Sequence, residues 1–174
     1  MSEKKNGDIM IRLAKAEDGA TIASLLHDSF LEYKSLYTEK AFVATTLAIS
    51  KIQQRIDDRT IWVALLDNVI SGTISLLPVD RGLYIKSVAV APAARGKGLG
   101  KALMKHAEHE ALKMNLRTLE LTTTPFLFEA IKLYDSLGFE PCGFEDLYGT
   151  ELIKMKKNLR SDAVLLNKDN SVLQ

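Results

Sequence analysis

The sequence predicts a mixed α/β domain built on one largely antiparallel sheet. Three observations carry that reading. Apolar periodicity switches between about two and about 3.6 residues along the chain, in the order β-α-α-β-β-β-α-β-α-β-β. Turn residues at Asp67-Asn68 and Asp80-Arg81-Gly82 separate three consecutive β-type runs, which lays neighbouring strands antiparallel. A length of 174 residues with 47% hydrophobic content suits one domain that buries its own core.

Each element has its own signal. Residues 1–8 read as a short disordered lead. Ile9, Ile11 and Leu13 alternate with Met10 and Arg12, a first strand. Over 17–33, Ile22, Leu25, Leu26 and Phe30 recur at helical spacing. A second helix is expected from Thr38 as N-cap, with Phe42, Ile49, Ile52 and Ile56 along one stripe. The pattern then turns to β at 61–66, at 69–77 with Pro78 as its end, and at 83–90. Leu99, Ala102, Leu103, His106, Ala107, Ala111 and Met114 mark a helix of about four turns. A threonine-rich strand at 118–123 stops before Pro125. Leu127, Ala130, Ile131, Tyr134 and Leu137 give a short helix closed by Gly138. Strands near 140–146 and 148–156 complete the domain. From Leu159 the tail scatters Val164, Leu165, Leu166 and Val172 among polar residues, as a frayed or partner-contacting segment does.

Composition narrows the function. Twenty-three basic against 22 acidic residues leave a net charge of +1, which excludes a global binder of long polyanions. The single cysteine, Cys142, makes no internal disulfide and is expected to serve as a small apolar residue. His106 and His109 stand three apart without zinc-protease spacing or further ligands, so no metal site is expected. No apolar run reaches the roughly 18 residues of a membrane span. The polar N-terminus lacks a signal peptide's apolar stretch, so a cytoplasmic location is expected. Tyr33, Tyr37 and Trp62 are expected in the core, with an acceptor pocket as the alternative.

The most informative stretch is Val88-Ala89-Val90-Ala91-Pro92-Ala93-Ala94-Arg95-Gly96-Lys97-Gly98-Leu99-Gly100-Lys101. A β-branched strand runs through a proline into a glycine-rich turn, and a helix begins there. Glycines let the backbone bring its N–H groups close to an anion, and a helix N-terminus adds unpaired donors. From Arg95 to Lys105 there are four cations and no carboxylate. Cations in a first turn oppose the helix dipole by about 0.3–1 kcal/mol each unless an anion compensates. The stretch reads as a phosphate cradle. It is not the nucleotide P-loop, because Arg95 stands five before Gly100 and Ala102 follows Lys101. Nor is it the dinucleotide fingerprint, whose third glycine would fall on Lys101 or Leu103.

Arg95-Gly96-Lys97-Gly98-Leu99-Gly100 does fit Arg/Gln-x-x-Gly-x-Gly/Ala, and so resembles the acyl-coenzyme-A pyrophosphate motif of the GNAT acetyltransferase superfamily. Ser87 to Pro92 resembles that family's central strand. Ala130-Ile131-Lys132-Leu133-Tyr134-Asp135-Ser136-Leu137-Gly138-Phe139 resembles its second signature. Ile11-Arg12-Leu13-Ala14 with Asp18 resembles its opening strand and first helix, and Gly72 the glycine of its third strand. The resemblance covers residues 9–157 as one N-acetyltransferase domain, with 1–8 and 158–174 as flexible or partner-contacting ends. It implies the acyl-CoA N-acyltransferase fold, a mostly antiparallel central sheet with splayed central strands flanked by helices.

The resemblance also implies chemistry. The acetyl group of acetyl-CoA would pass directly to a primary amine of a small molecule or peptide, with no metal and no nucleic acid or membrane partner. Val88, Ala89 and Val90 would offer main-chain groups to pantetheine. Arg95, Gly96, Lys97, Gly98, Leu99, Gly100 and Lys101 would hold the pyrophosphate. Tyr134 would protonate the leaving thiolate. A homodimer is expected by the same analogy. Two positions depart from the family: Leu127 where many relatives carry asparagine, and Thr122 where some carry a glutamate base. No residue is named as the base: Glu120, otherwise a surface glutamate, and Glu32 are substitute candidates, and a water chain is the alternative to both. A catalytically weak acyl-CoA sensor is the alternative to an enzyme.

Overall fold

The computed structural model describes residues 7–160, so the apolar tail positions from Val164 onward lie outside the described residues. The described residues form seven strands and five α-helices in the order β1 (Ile9–Leu13), α1 (Gly19–Leu31), α2 (Glu39–Thr46), α3 (Ile49–Asp57), β2 (Ile61–Leu66), β3 (Val69–Val79), β4 (Gly82–Val90), α4 (Leu99–Lys113), β5 (Thr118–Thr123), α5 (Phe128–Ser136), β6 (Glu140–Leu147) and β7 (Thr150–Asn158). The sheet runs β1-β2-β3-β4-β5-β7-β6. Only β4 and β5 pair in parallel; every other neighbour is antiparallel.

Strand periodicity sorts the core into two layers. On β2, Ile61, Val63 and Leu65 face α1, α2 and α3, which contribute Ile22, Leu26, Phe42 and Ile52. Ala64 and Leu66 face the other way, toward Leu103, Met104 and Ala107 of α4 and Tyr134 of α5. Gly72 on β3 lets neighbours approach closely: a Cβ there would stand 3.1 Å from Leu103 Cδ1 and 3.3 Å from the Ala89 carbonyl oxygen. Asp67 and Asn68, at φ 51° and 66°, give the β2–β3 hairpin the left-handed pair that a two-residue primed turn needs. At the start of α1, Asp18 is buried and takes both Arg12 Nη1 at 2.7 Å and Nη2 at 3.2 Å, plus the Lys15 N–H at 2.7 Å. The Arg12 hydrogen bond holds the Asp18 carboxyl below its ordinary value.

Three expectations are corrected. The long second helix is two helices, broken at Leu47 with φ 49°, and Ile49 at the start of α3 is exposed rather than part of the buried stripe. Thr38 does cap α2, its hydroxyl accepting the Ala41 N–H at 3.2 Å. Pro78 does not end β3; it pairs with Leu83, beyond the last β2 partner at Ser75, where β3 has a neighbour on one side only. Cys142 is exposed on the edge strand β6 rather than packed as a small apolar residue.

The central pair of strands diverges. β4 and β5 pair only from Gly82–Thr118 to Ile85–Leu121. Beyond that, β4 stays with β3 through Ala89–Thr73 and Val90–Gly72, while Thr122 and Thr123 of β5 stay with β7. A bulge opens the gap: two β4 residues stand where β3 has one, and Ser87 takes φ 53°.

Candidate active site

The divergence of β4 from β5 opens a cleft of about 1150 Å³. Its donor side is lined by Val88, Ala89, Val90, Arg95, Gly96, Gly98, Leu99, Gly100, Lys101 and Tyr134. Lys97 is the one residue of the sequence-derived set that does not line it; it is exposed. All the cofactor candidates but Lys97, together with the catalytic candidate Tyr134, thus converge on one cavity.

The turn leaves its main-chain amides open. Gly96 and Gly98 take φ 75° and 88°, and space within 4 Å of their missing Cβ atoms is empty. Gly98 is the N-cap of α4 and offers no side chain to its amides. The first helical bond is Ala102 N–H to the Gly98 carbonyl at 3.0 Å. Among the described residues, the N–H groups of Gly98, Leu99, Gly100 and Lys101 therefore donate to no protein acceptor. The first turn of α4 carries no acid, and Lys101 makes no ion pair among the described residues. Leu99 contributes only its N–H, for its side chain is buried in the core. Gly100 has a second duty, since a Cβ there would stand 3.0 Å from Leu133 Cδ2 on α5.

Two expected donor groups are already engaged within the protein. The Arg95 guanidinium turns to α1, where Nη2 donates to the Ser29 carbonyl at 2.9 Å and Nη1 pairs with Glu32. The Val90 carbonyl lies 3.1 Å from the Ser29 hydroxyl, which it shares with the Leu25 carbonyl at 2.6 Å. These contacts tie the last turn of α1 to the end of β4 and to the loop that follows it.

Tyr134 is buried against Phe139, with ring centroids 5.9 Å apart, and its hydroxyl has no protein partner among the described residues. Burial pushes its pKa up to about 12, so it carries its proton at every physiological pH. Leu127 sits at the N-cap of α5 and lines the cleft without capping the helix, as an apolar side chain must.

The opposite side of the cleft is formed by α1, α2 and α3. Tyr33 and Tyr37 line it, with Tyr37 edge-on to Phe126 at 4.9 Å. Trp62 lies on the other face of the sheet, packed on His106 at 4.3 Å, and lines no part of the cleft. Burial lowers the His106 pKa, which keeps this imidazole neutral; no metal-ligating cluster exists among the described residues. Thr122 lines the cleft and shares a 3.0 Å hydrogen bond with the Tyr84 hydroxyl. The two base candidates stand elsewhere: Glu32 pairs with Arg95, and Glu120 lies 3.7 Å from Lys156, outside the lining.

One lining residue had no sequence signal. Arg55 of α3 is half-buried, and its Nη1 donates to Ser75 Oγ on β3 and Ser87 Oγ on β4, both at 2.9 Å. The serines lie 20 and 32 residues downstream, so no local spacing links the three. Polar residues at inward strand positions, Ser75 and Ser87, were the only available hint.

Comparison with known proteins agrees with this geometry. Residues 21–139 match the model of the Acetyltransferase (GNAT) family. The chain is 28% identical over 137 residues to "Uncharacterized N-acetyltransferase YjgM" of Escherichia coli (strain K12), covering 75% of this chain and 81% of that protein. It is 34% identical over 91 residues to the streptothricin acetyltransferase of Streptomyces lavendulae, covering 51% of this chain and 48% of that one. Its fold superposes with a TM-score of 0.74 on the PaiA N-acetyltransferase of Thermoplasma acidophilum in complex with coenzyme A, at 21% identity over 87% of this chain and 99% of that one. With more than half of its length matched by the family model, the chain belongs to the GNAT acetyltransferase family, whose enzymes use acetyl-CoA as co-substrate.

Proposed function

We propose that this protein transfers the acetyl group of acetyl-CoA directly to a primary amine of a small molecule or peptide, with the splayed cleft as its active site. The observation that carries the reading is the convergence, in one cleft, of four unpaired helix-terminal amides, a diverging strand edge and an unpartnered, permanently protonated tyrosine hydroxyl. Acetyl-CoA supplies the acetyl group in activated thioester form.

The chain's residues have distinct tasks. The amides of Gly98, Leu99, Gly100 and Lys101, with the charge of Lys101, hold pyrophosphate oxygens at the positive end of α4. Gly96 and Gly98 keep side chains out of that approach. Val88, Ala89 and Val90 order the pantetheine arm along the unpaired edge of β4, and an N–H of this segment polarises the carbonyl under attack. Tyr134 hydrogen-bonds the departing sulfur. Its pKa of about 12 lies above a thiol's roughly 8.5, so full transfer from the phenol is uphill. The proton given up by the attacking amine completes the step, leaving coenzyme A as the thiol and Tyr134 protonated. The attack is direct: the exposed Cys142 on β6 lies outside the lining, so the cleft holds no thiol for an acyl-enzyme.

A thiol-release screen tests this. Purified protein with acetyl-CoA is offered polyamines, amino acids, aminoglycosides and peptide N-termini. The proposal expects amine-dependent release of coenzyme A; acetyl-CoA binding with no release against any amine would instead favour a sensor.

A further inference from the structure

We infer that Arg55 is an anion-recognition residue of the acceptor site, and that the amine acetylated here carries a carboxylate. The inference rests on the acetyltransferase reading and adds the acceptor's chemical class to it. Arg55 Nη1 spends both its hydrogens on Ser75 Oγ and Ser87 Oγ. That leaves the Nε–H and the two Nη2 hydrogens, the side-on edge of the guanidinium, without a partner among the described residues. No carboxylate lies within salt-bridge distance of this cation among the described residues. A half-buried guanidinium that is fixed on one edge and bare on the other matches a carboxylate bidentately.

Position supports the assignment. Arg55 lines the cleft, and Ser87, which it grips, is the bulge residue immediately before the Val88–Val90 segment. The guanidinium therefore stands beside the strand edge proposed to hold the acetyl donor. Lys51, one turn earlier on α3, and Lys86, beside Ser87, also line the cleft. Of the three lining acids, Glu145 pairs with Lys154 at 3.4 Å and Glu129 with Lys132 at 3.2 Å; Asp58 is exposed.

The test uses the full chain, acetyl-CoA and matched amines: α-amino acids and β-alanine, their carboxamides, and the corresponding amines without the carboxyl group. The wild type should favour a carboxylate-bearing amine over its carboxamide by at least about 100-fold in kcat/KM. Arg55→Gln should collapse that preference by raising KM for the carboxylated amines, leaving the affinity for acetyl-CoA within about threefold. Should Arg55→Gln fail to fold by thermal melting, Ser87→Ala decides: freeing one edge of the guanidinium should raise KM for carboxylated amines about 10-fold at constant kcat. Equal use of carboxamides by the wild type, or an intact preference in the folded variants, would overturn the inference while sparing the acetyltransferase reading. No coenzyme A release from any amine would overturn both.

Discussion

The two halves of the cleft are made of different material. The donor half is backbone: a strand edge, a glycine turn and the amides at the start of α4. The half proposed for the acceptor is side chain: Tyr33 and Tyr37 in the turn between α1 and α2, Lys51 and Arg55 on α3, and Ser87 at the bulge of β4. A backbone site demands particular residues mainly where a Cβ would intrude, so it leaves a contiguous signature. A side-chain site draws on residues far apart in sequence and can be rebuilt for another ligand without disturbing the first.

The largest expected effect comes from breaking the donor half. Gly98→Glu should abolish acetyl-CoA binding in calorimetry, with affinity down more than 100-fold. The substitution puts a carboxylate where the pyrophosphate oxygens would lie, and a Cβ at φ 88° also strains the N-cap by roughly 1–2 kcal/mol. A melting curve separates the two, since strain alone shifts the midpoint and spares affinity.

Next comes the chemistry between the halves. Tyr134→Phe should lower kcat by about 10²- to 10³-fold and leave the dissociation constant for acetyl-CoA within about threefold. Because burial lifts this hydroxyl to about 12, the wild-type kcat profile should show no loss from tyrosine ionisation between pH 8 and roughly 11. A fall in kcat centred near 10, absent in the Phe variant, would contradict the burial-protected acid.

A smaller effect tests how the acceptor half is anchored. Asp18 fixes the entry to α1 by receiving Arg12 and the Lys15 amide. Asp18→Asn should cost about 2–3 kcal/mol in urea unfolding, because it strands the guanidinium. The sign with pH follows from the depressed carboxyl. Its folded value lies below the unfolded 3.8, so its contribution is complete above that pH and drains away as pH falls toward the folded value. The difference between wild type and Asp18→Asn should therefore shrink on acidification below about pH 4.

The smallest effect concerns Glu32. Its pair with Arg95 is half-exposed, so Glu32→Gln should change stability by under about 1 kcal/mol. Acetyl-CoA affinity should also stay within about twofold, since Arg95 keeps its bond to the Ser29 carbonyl.

The same contrast governs what could be read from the residues. The strand from Val88, the glycine turn, Tyr134 and the Thr38 cap are legible because each is a local pattern with a local cause. The sheet and most element ends follow from periodicity. The break at Leu47 is not legible: Phe42, Ile52 and Ile56 keep helical phase across it, and a left-handed leucine has no compositional mark. Pro78 is misread as a strand end because its tolerance depends on how far β2 extends, which is a tertiary fact. Arg95 is found as part of a motif and lines the cleft, but its contacts to Ser29 and Glu32 at the end of α1 have no local mark in the sequence. Arg55 escapes notice because its meaning lies in two serines from other strands.

The central claim is that main-chain amides at the start of α4 recognise acetyl-CoA. Backbone amide NMR shifts, followed as acetyl-CoA is titrated into the uniformly ¹⁵N-labelled protein, test it most directly. The account predicts the largest saturable shifts at Gly98, Leu99, Gly100 and Lys101, with those of α2 and α3 small until an amine acceptor is added. Saturable binding that leaves these four amides unmoved would contradict it.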